Sequence, residues 1–130
     1  NHEKNRPPCI KAAPKIRQIY WCEFWKDARL PEMWKTRPVI VVSYKHTLNG
    51  HCLVIPLSTR QQAENEWAYK LPIEIEDSGI EAWAICNHPY TVSTSRLRQF
   101  NKGTPLLPKE DFNQVLGKLM KWLPQPFSLE

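Results

Sequence analysis

Twelve prolines, spread from Pro7 to Pro126, set the tightest limit on what this chain can fold into. Each fixes a backbone angle and removes a donor, so long uninterrupted helices are excluded. One stretch between prolines has helical period: Phe112, Val115, Leu116, Leu119 and Leu123 repeat at the spacing of one helix face. Pro108 suits its first turn, Glu110 and Asp111 complement the positive end, Lys118 and Lys121 the negative end, and Pro124 stops it. Such an amphipathic helix needs a sheet face to cover its apolar stripe.

The rest of the chain offers that sheet. In Ile19-Tyr20-Trp21-Cys22-Glu23-Phe24, strand alternation puts Tyr20, Cys22 and Phe24 on one face, assigned to the core because the other face carries Glu23. Residues 38–44 read as a second strand and 51–55 as a third, with Asn49-Gly50 between them as a tight hairpin turn. Trp67 to Ile75, Ala82 to Cys86 and Tyr90 to Ser95 read as further short strands, separated by Asp77-Ser78-Gly79 and Asn87-His88-Pro89. The expectation is a mainly β (α+β) fold: a small antiparallel β-barrel, closed or nearly so, with a C-terminal amphipathic helix.

With 130 residues the chain can bury one good core but not two. The expected organisation is an extended arm over 1–16, rich in proline, one domain over 17–124 and a tail over 125–130. Asn1 rather than Met stands first, so a short N-terminal piece is expected to precede it. Eighteen Lys and Arg against thirteen Asp and Glu give +5, a balance that favours nucleic acid or an acidic protein segment as partner. Cys9, Cys22, Cys52 and Cys86 are too widely spaced for a CxxC motif and read as free thiols. With no signal-peptide pattern or membrane-length apolar run, they point to a reducing cytosol.

Familiar catalytic signatures are missing. His2, His46, His51 and His88 have no paired spacing, so no metal is expected, and only four glycines leave no phosphate-binding loop. A serine-hydrolase elbow is absent too. What remains is a set of polar residues at strand ends. Glu32, Lys35 and Thr36 lie in a loop that runs into Arg37-Pro38 at the mouth of the second strand, Ser58-Thr59 closes the third, and Asn87-His88 follows the strand around Trp83. Taken singly, Arg37 suits an ion pair with Glu32 or Glu23, Ser58-Thr59 a turn, and His88 the surface. In a small barrel, however, neighbouring strand ends share a rim. Converged, a carboxylate, a guanidinium and a hydroxyl supply what cleavage of a phosphodiester needs.

These segments resemble, in order over residues 17 to 123, the MazF/PemK (Kid) toxins of bacterial type II toxin–antitoxin systems. "RQIYWCEF" is similar to the family's first strand, Glu32 with "RPVIVVS" to its loop carboxylate and Arg-Pro strand, "LVIPLST" to the strand ending in paired hydroxyls, and "TVSTSRL" to the late segment before the helix. The resemblance implies an SH3-like barrel of the PemK/CcdB type, acting as a homodimer. It implies an endoribonuclease without metal or cofactor that cuts single-stranded mRNA, and a cognate antitoxin whose acidic, disordered tail blocks the RNA groove.

Carried across by position, Arg37 and Glu32 are the expected catalytic pair, with Ser58 and Thr59 as hydroxyl donors. Where Kid-like members carry an Arg-x-Asp-Gln pattern, this chain reads Ile85-Cys86-Asn87-His88, which loses the acid–base pair. Two readings follow: Glu32 is the base with Arg37 as stabiliser or acid, which is favoured, or His88 takes over proton transfer. Trp34, Lys35, Thr36, Arg60 and Asn87 are the expected RNA contacts, Trp34 by stacking on a splayed base. The alternatives are a CcdB-like toxin that binds DNA gyrase without cleaving anything, and a catalytically dead RNA-binding regulator.

Overall fold

The computed structural model describes residues 7–25, 29, 35–44, 48–75 and 81–129. Strands β1 (Ile19–Glu23), β2 (Thr36–Val41), β3 (His51–Ser58), β4 (Ala68–Glu74), β5 (Glu81–Ile85), β6 (Tyr90–Ser93) and β7 (Leu97–Arg98) precede one helix, α1 (Lys109–Trp122). All pairings are antiparallel. The order is β4-β5-β3-β2-β1-β7, with β6 also on β3.

The sheet curls without closing. Among the described residues no ladder joins β4 to β7, so the expected barrel is an approximation to an open, barrel-like sheet. Both edges have a physical reason to stay unpaired. β7 is only two residues long, and β4 carries Pro72 and an irregularity between Lys70 and Glu74.

Two apolar clusters use the two faces of the central strands. Ile19, Ile40, Ile55 and Leu57 pack with Leu71, Ala84 and the α1 residues Phe112, Val115 and Leu119. Tyr20, Cys22, Phe24, Val39, Val41, Val54 and Leu97 form the other cluster, which Ile10 joins from upstream of β1. Ile19 is therefore core like Tyr20, because both faces of β1 are covered; the charge at Glu23 marks only where that cover ends.

Other expectations shift. The β2–β3 connection is not a two-residue hairpin: Val42 N–H still donates to Leu53 O at 2.9 Å, so the turn lies beyond that pair. Among the described residues, left-handed backbone occurs at Arg17, Lys35 and Gly103, not at Asn49 or Gly50. Residues 48–50 instead dock on Thr94, whose hydroxyl donates to Leu48 O at 2.6 Å and whose N–H donates to Gly50 O at 2.9 Å. The sixth strand stops at Ser93 because Thr94–Arg96 is a 3-10 turn capped by the Ser93 side chain. Pro108 caps α1 from just outside it, and Leu123 lies past its end, half exposed, off the buried stripe. The Asp77-Ser78-Gly79 turn lies outside the described residues.

Candidate active site

Arg37, the second residue of β2, stands opposite Cys22 of β1 and is half-buried. Alternation puts it on the face of Val39 and Val41, beside the second core cluster. The β2–β3 register pairs Val39 with Pro56. That pair ends the β2–β3 ladder, and Arg37 and Ser58 each lie two residues beyond it on their own strands. Phe24 N–H donates to Lys35 O, so by the two-residue period of the ladder Pro38 turns its nitrogen toward β3, where it has no hydrogen to give. The two strands can part there, and β3 runs on beside β5 through Leu57↔Ala84 and Ser58↔Trp83.

Lys35, just ahead of this mouth, is exposed and left-handed at φ 62°, a conformation that costs a non-glycine residue on the order of 1 kcal/mol or more. Its carbonyl is held by the Phe24 N–H at 3.1 Å. Thr36, exposed, pairs with Glu23. Glu32 and Trp34 lie outside the described residues.

Ser58 is 8% exposed, and its Oγ accepts the Arg60 N–H at 3.1 Å, so it does close the strand as a turn residue. Thr59 and Arg60 follow directly and are exposed.

Asn87 and His88 lie on the other side of β3, beside its middle, between the pairs Leu57↔Ala84 and Val54↔Tyr90. Val42 N–H points from β2 to Leu53, so by the same two-residue period Pro56 turns its nitrogen toward β5 and β6, where it has no hydrogen to give. The chain between β5 and β6 uses that gap: Cys86 N–H donates to Trp67 O at 2.9 Å and His88 N–H to Ile85 O at 3.1 Å. Asn87 and His88 are half-buried. Asn87 Oδ1 and His88 Nδ1 are shut off from solvent without a hydrogen-bond partner. Burial pushes the imidazole below its ordinary value of 6.5 and keeps it neutral.

A cationic and aromatic group beside β1 was not legible in the sequence. Phe24, Trp25 and Tyr90 meet ring to ring, with centroids 5.2–5.8 Å apart. The Arg96 guanidinium lies 5.0 Å from the centre of Trp25, and Arg98 Nε donates to Glu23 Oε2 at 2.6 Å. The sequence signals are Trp25 just past the first strand and the pair of arginines in Ser-Arg-Leu-Arg; what brings them together is the Trp21↔Arg98 pairing of a two-residue strand. Among the described residues no three His, Cys, Asp or Glu side chains are grouped to hold a metal ion, and no helix is long and apolar enough to cross a membrane.

No curated protein sequence matches the chain. Solved structures do. MazF from Deinococcus radiodurans superposes with a TM-score of 0.67 at 19% identity, over 85% of this chain and 96% of that one. An endoribonuclease in complex with its cognate antitoxin, from a mycobacterial species, gives 0.62 at 17% identity, over 88% and 100%. At such identities these likenesses show the shared fold. A family model, described as "PemK-like, MazF-like toxin of type II toxin-antitoxin system", matches residues 15–123, from ahead of β1 through the end of α1. A match over that much of the sequence, on the same fold, decides membership: the chain belongs to the PemK-like, MazF-like toxins of type II toxin–antitoxin systems.

Proposed function

We propose that this toxin is a sequence-selective endoribonuclease that cuts single-stranded mRNA without a metal, leaving 2′,3′-cyclic phosphate and 5′-hydroxyl ends. The observation that carries the reading is the placement of Arg37: a half-buried residue on a strand backbone paired to the core, at the mouth where β2 parts from β3, the strand that ends in Ser58. Family membership supplies the chemical context.

RNA brings its own nucleophile. The 2′ oxygen forms its bond to phosphorus as the bond to the 5′ oxygen breaks; Glu32 takes the 2′ proton, and the departing 5′ oxygen must be protonated. Arg37 steadies the charge on the phosphoryl oxygens and is the candidate donor to that oxygen. Ser58 and Thr59 provide hydroxyls beside it, while Lys35, Thr36 and Arg60, all exposed, suit the RNA backbone. Trp34 is assigned a stacked base and Asn87 a further RNA contact.

The active form is proposed to be a homodimer in the bacterial cytoplasm. Its +5 charge suits both RNA and the acidic tail of a cognate antitoxin. Two related solved structures are of MazE–MazF and of an endoribonuclease with its antitoxin, which supports that partner.

The test is incubation with a long unstructured RNA in EDTA, with cut sites and end groups mapped. Discrete cuts ending in cyclic phosphates support the nuclease. No cleavage by folded protein, across several RNAs and pH values, sinks it and favours a toxin of the same fold that binds a protein such as DNA gyrase.

A further inference from the structure

The connection between β5 and β6 leaves two polar atoms buried and unmatched on consecutive residues, Asn87 Oδ1 and His88 Nδ1. A buried acceptor without a donor costs on the order of 1–3 kcal/mol, and few such groups occur in native proteins. The flanking backbone is held by Cys86 N–H to Trp67 O and His88 N–H to Ile85 O. Both residues are half-buried, so part of each side chain reaches the surface although these two atoms do not. Neither atom gives up a protein bond in turning to a ligand.

The chemistry of the pair defines that ligand. An amide oxygen only accepts, and a neutral imidazole accepts at one nitrogen. Desolvation holds this imidazole neutral. With its proton on Nε2, the imidazole presents Nδ1 as an acceptor beside the amide oxygen, and two adjacent neutral acceptors call for a group that offers N–H donors and carries no need of a counter-charge. In single-stranded RNA the base edges supply it: adenine, cytosine and guanine carry an exocyclic amine, and uracil does not. The location fits a base near the scissile phosphate: β3 separates the connection from β2 and Arg37, two strand spacings of about 4.8 Å each, and the flanking pairs Leu57↔Ala84 and Val54↔Tyr90 set it level with the middle of β3.

We propose that Asn87 and His88 form a base-reading subsite that accepts the exocyclic amino group of a nucleobase next to the cleaved bond. The inference rests on the nuclease reading and deepens it: Arg37 acts on the phosphate, while Asn87 and His88 select which base stands beside it.

The test uses short RNAs built on the mapped cut site, in which one base at a time is exchanged for its counterpart without the amine: inosine for guanosine, purine riboside for adenosine, uridine for cytidine. At one position next to the cut, kcat/KM falls by about 5- to 150-fold, the equivalent of the 1–3 kcal/mol that a good base contact discriminates. In Asn87→Leu and His88→Leu that difference shrinks or vanishes. Unchanged discrimination in both folded variants overturns the subsite, as does a wild-type protein indifferent to the amine at every flanking position.

A second measurement needs no variant. The 15N resonance of His88 Nδ1 is followed as the wild-type protein binds RNA whose scissile nucleotide is 2′-deoxy and so cannot be cut. It moves to the position of a hydrogen-bonded acceptor with the amino-bearing base and stays put without the amine. A resonance already there in free protein means a resident water fills the role, and the inference fails. If no RNA is cleaved at all, the nuclease reading fails by itself; equal affinity for the amino-bearing and amino-lacking RNAs then overturns the subsite separately.

Discussion

Arg37 faces Cys22 across the β1–β2 ladder, so the guanidinium proposed to meet the phosphate springs from a backbone paired with a fully buried core residue. One residue further on, Pro38 is itself buried, with φ fixed by its ring. The strand thus restricts where Arg37 starts, while its half-exposed side chain stays reachable. A site is most exact when built on regular elements in this way.

Truncating Arg37 to alanine is therefore expected to cost activity rather than stability. Cleavage in EDTA falls roughly 10²–10³-fold, the loss typical of removing one charge-stabilising donor. Unfolding free energy changes by less than about 1 kcal/mol, since no core volume is removed. Near-normal cleavage by the folded variant would remove Arg37 from the mechanism.

Much of this was readable from the sequence, and what was not has physical causes. β1 to β6 and α1 announce themselves through alternation, helical period and proline stops, and the strand ends that flank β3 follow from order alone. β7 was missed because two residues carry no period. Asn49-Gly50 looked like a hairpin turn because local sequence does not reveal Thr94, more than forty residues away, gripping that segment. For the site, residue type pointed to Arg37 and Ser58. The unmatched polar atoms of Asn87 and His88 were invisible, because satisfaction is a property of the packed neighbourhood.

The cysteines give a test independent of RNA. Cys22, Cys52 and Cys86 are buried, and desolvation pushes their thiols up to about 12, 11 and 12; Cys9 is exposed. Thiolate is the reactive form. Iodoacetamide at pH 8 is expected to label Cys9 alone in the native protein and all four cysteines in denaturant, counted by mass spectrometry. Above the ordinary thiol value of 9.0, the unfolded chain loses protons that the folded chain keeps, so stability falls as pH climbs toward the raised values. Urea unfolding at pH 8 and pH 10 measures that decline.

His88 moves the other way. Its imidazole titrates below 6.5 because burial disfavours the charged form, which NMR titration would show directly. As pH drops through 6.5, the unfolded state takes up a proton before the folded one does, so this residue makes stability fall on acidification. If Glu32 is the base, His88→Ala leaves the shape of the pH–rate profile unchanged on RNA without the amino group, where His88 has no base contact to lose on protonation. A profile that loses a limb in that variant would return His88 to proton transfer.

Thr94 offers the sharpest structural prediction, because one buried hydroxyl serves two strands' worth of loop. It is 2% exposed; its Oγ1 donates to Leu48 O at 2.6 Å and accepts the Gly50 N–H at 3.3 Å. Valine matches its shape and removes both bonds. The Leu48 carbonyl then lacks this donor and the Gly50 amide this acceptor, each in a part-buried place, while the Thr94 N–H to Gly50 O bond survives. Thr94→Val should cost about 1–3 kcal/mol in denaturant unfolding. Hydrogen exchange should quicken at Gly50 before it quickens in β3, because the segment is held at its far end by this contact and at its near end by the sheet. Serine, which keeps the hydroxyl and loses only a methyl, should recover most of the protection. Recovery by serine but not valine would assign the effect to the hydrogen bonds, and equal loss in both would assign it to packing.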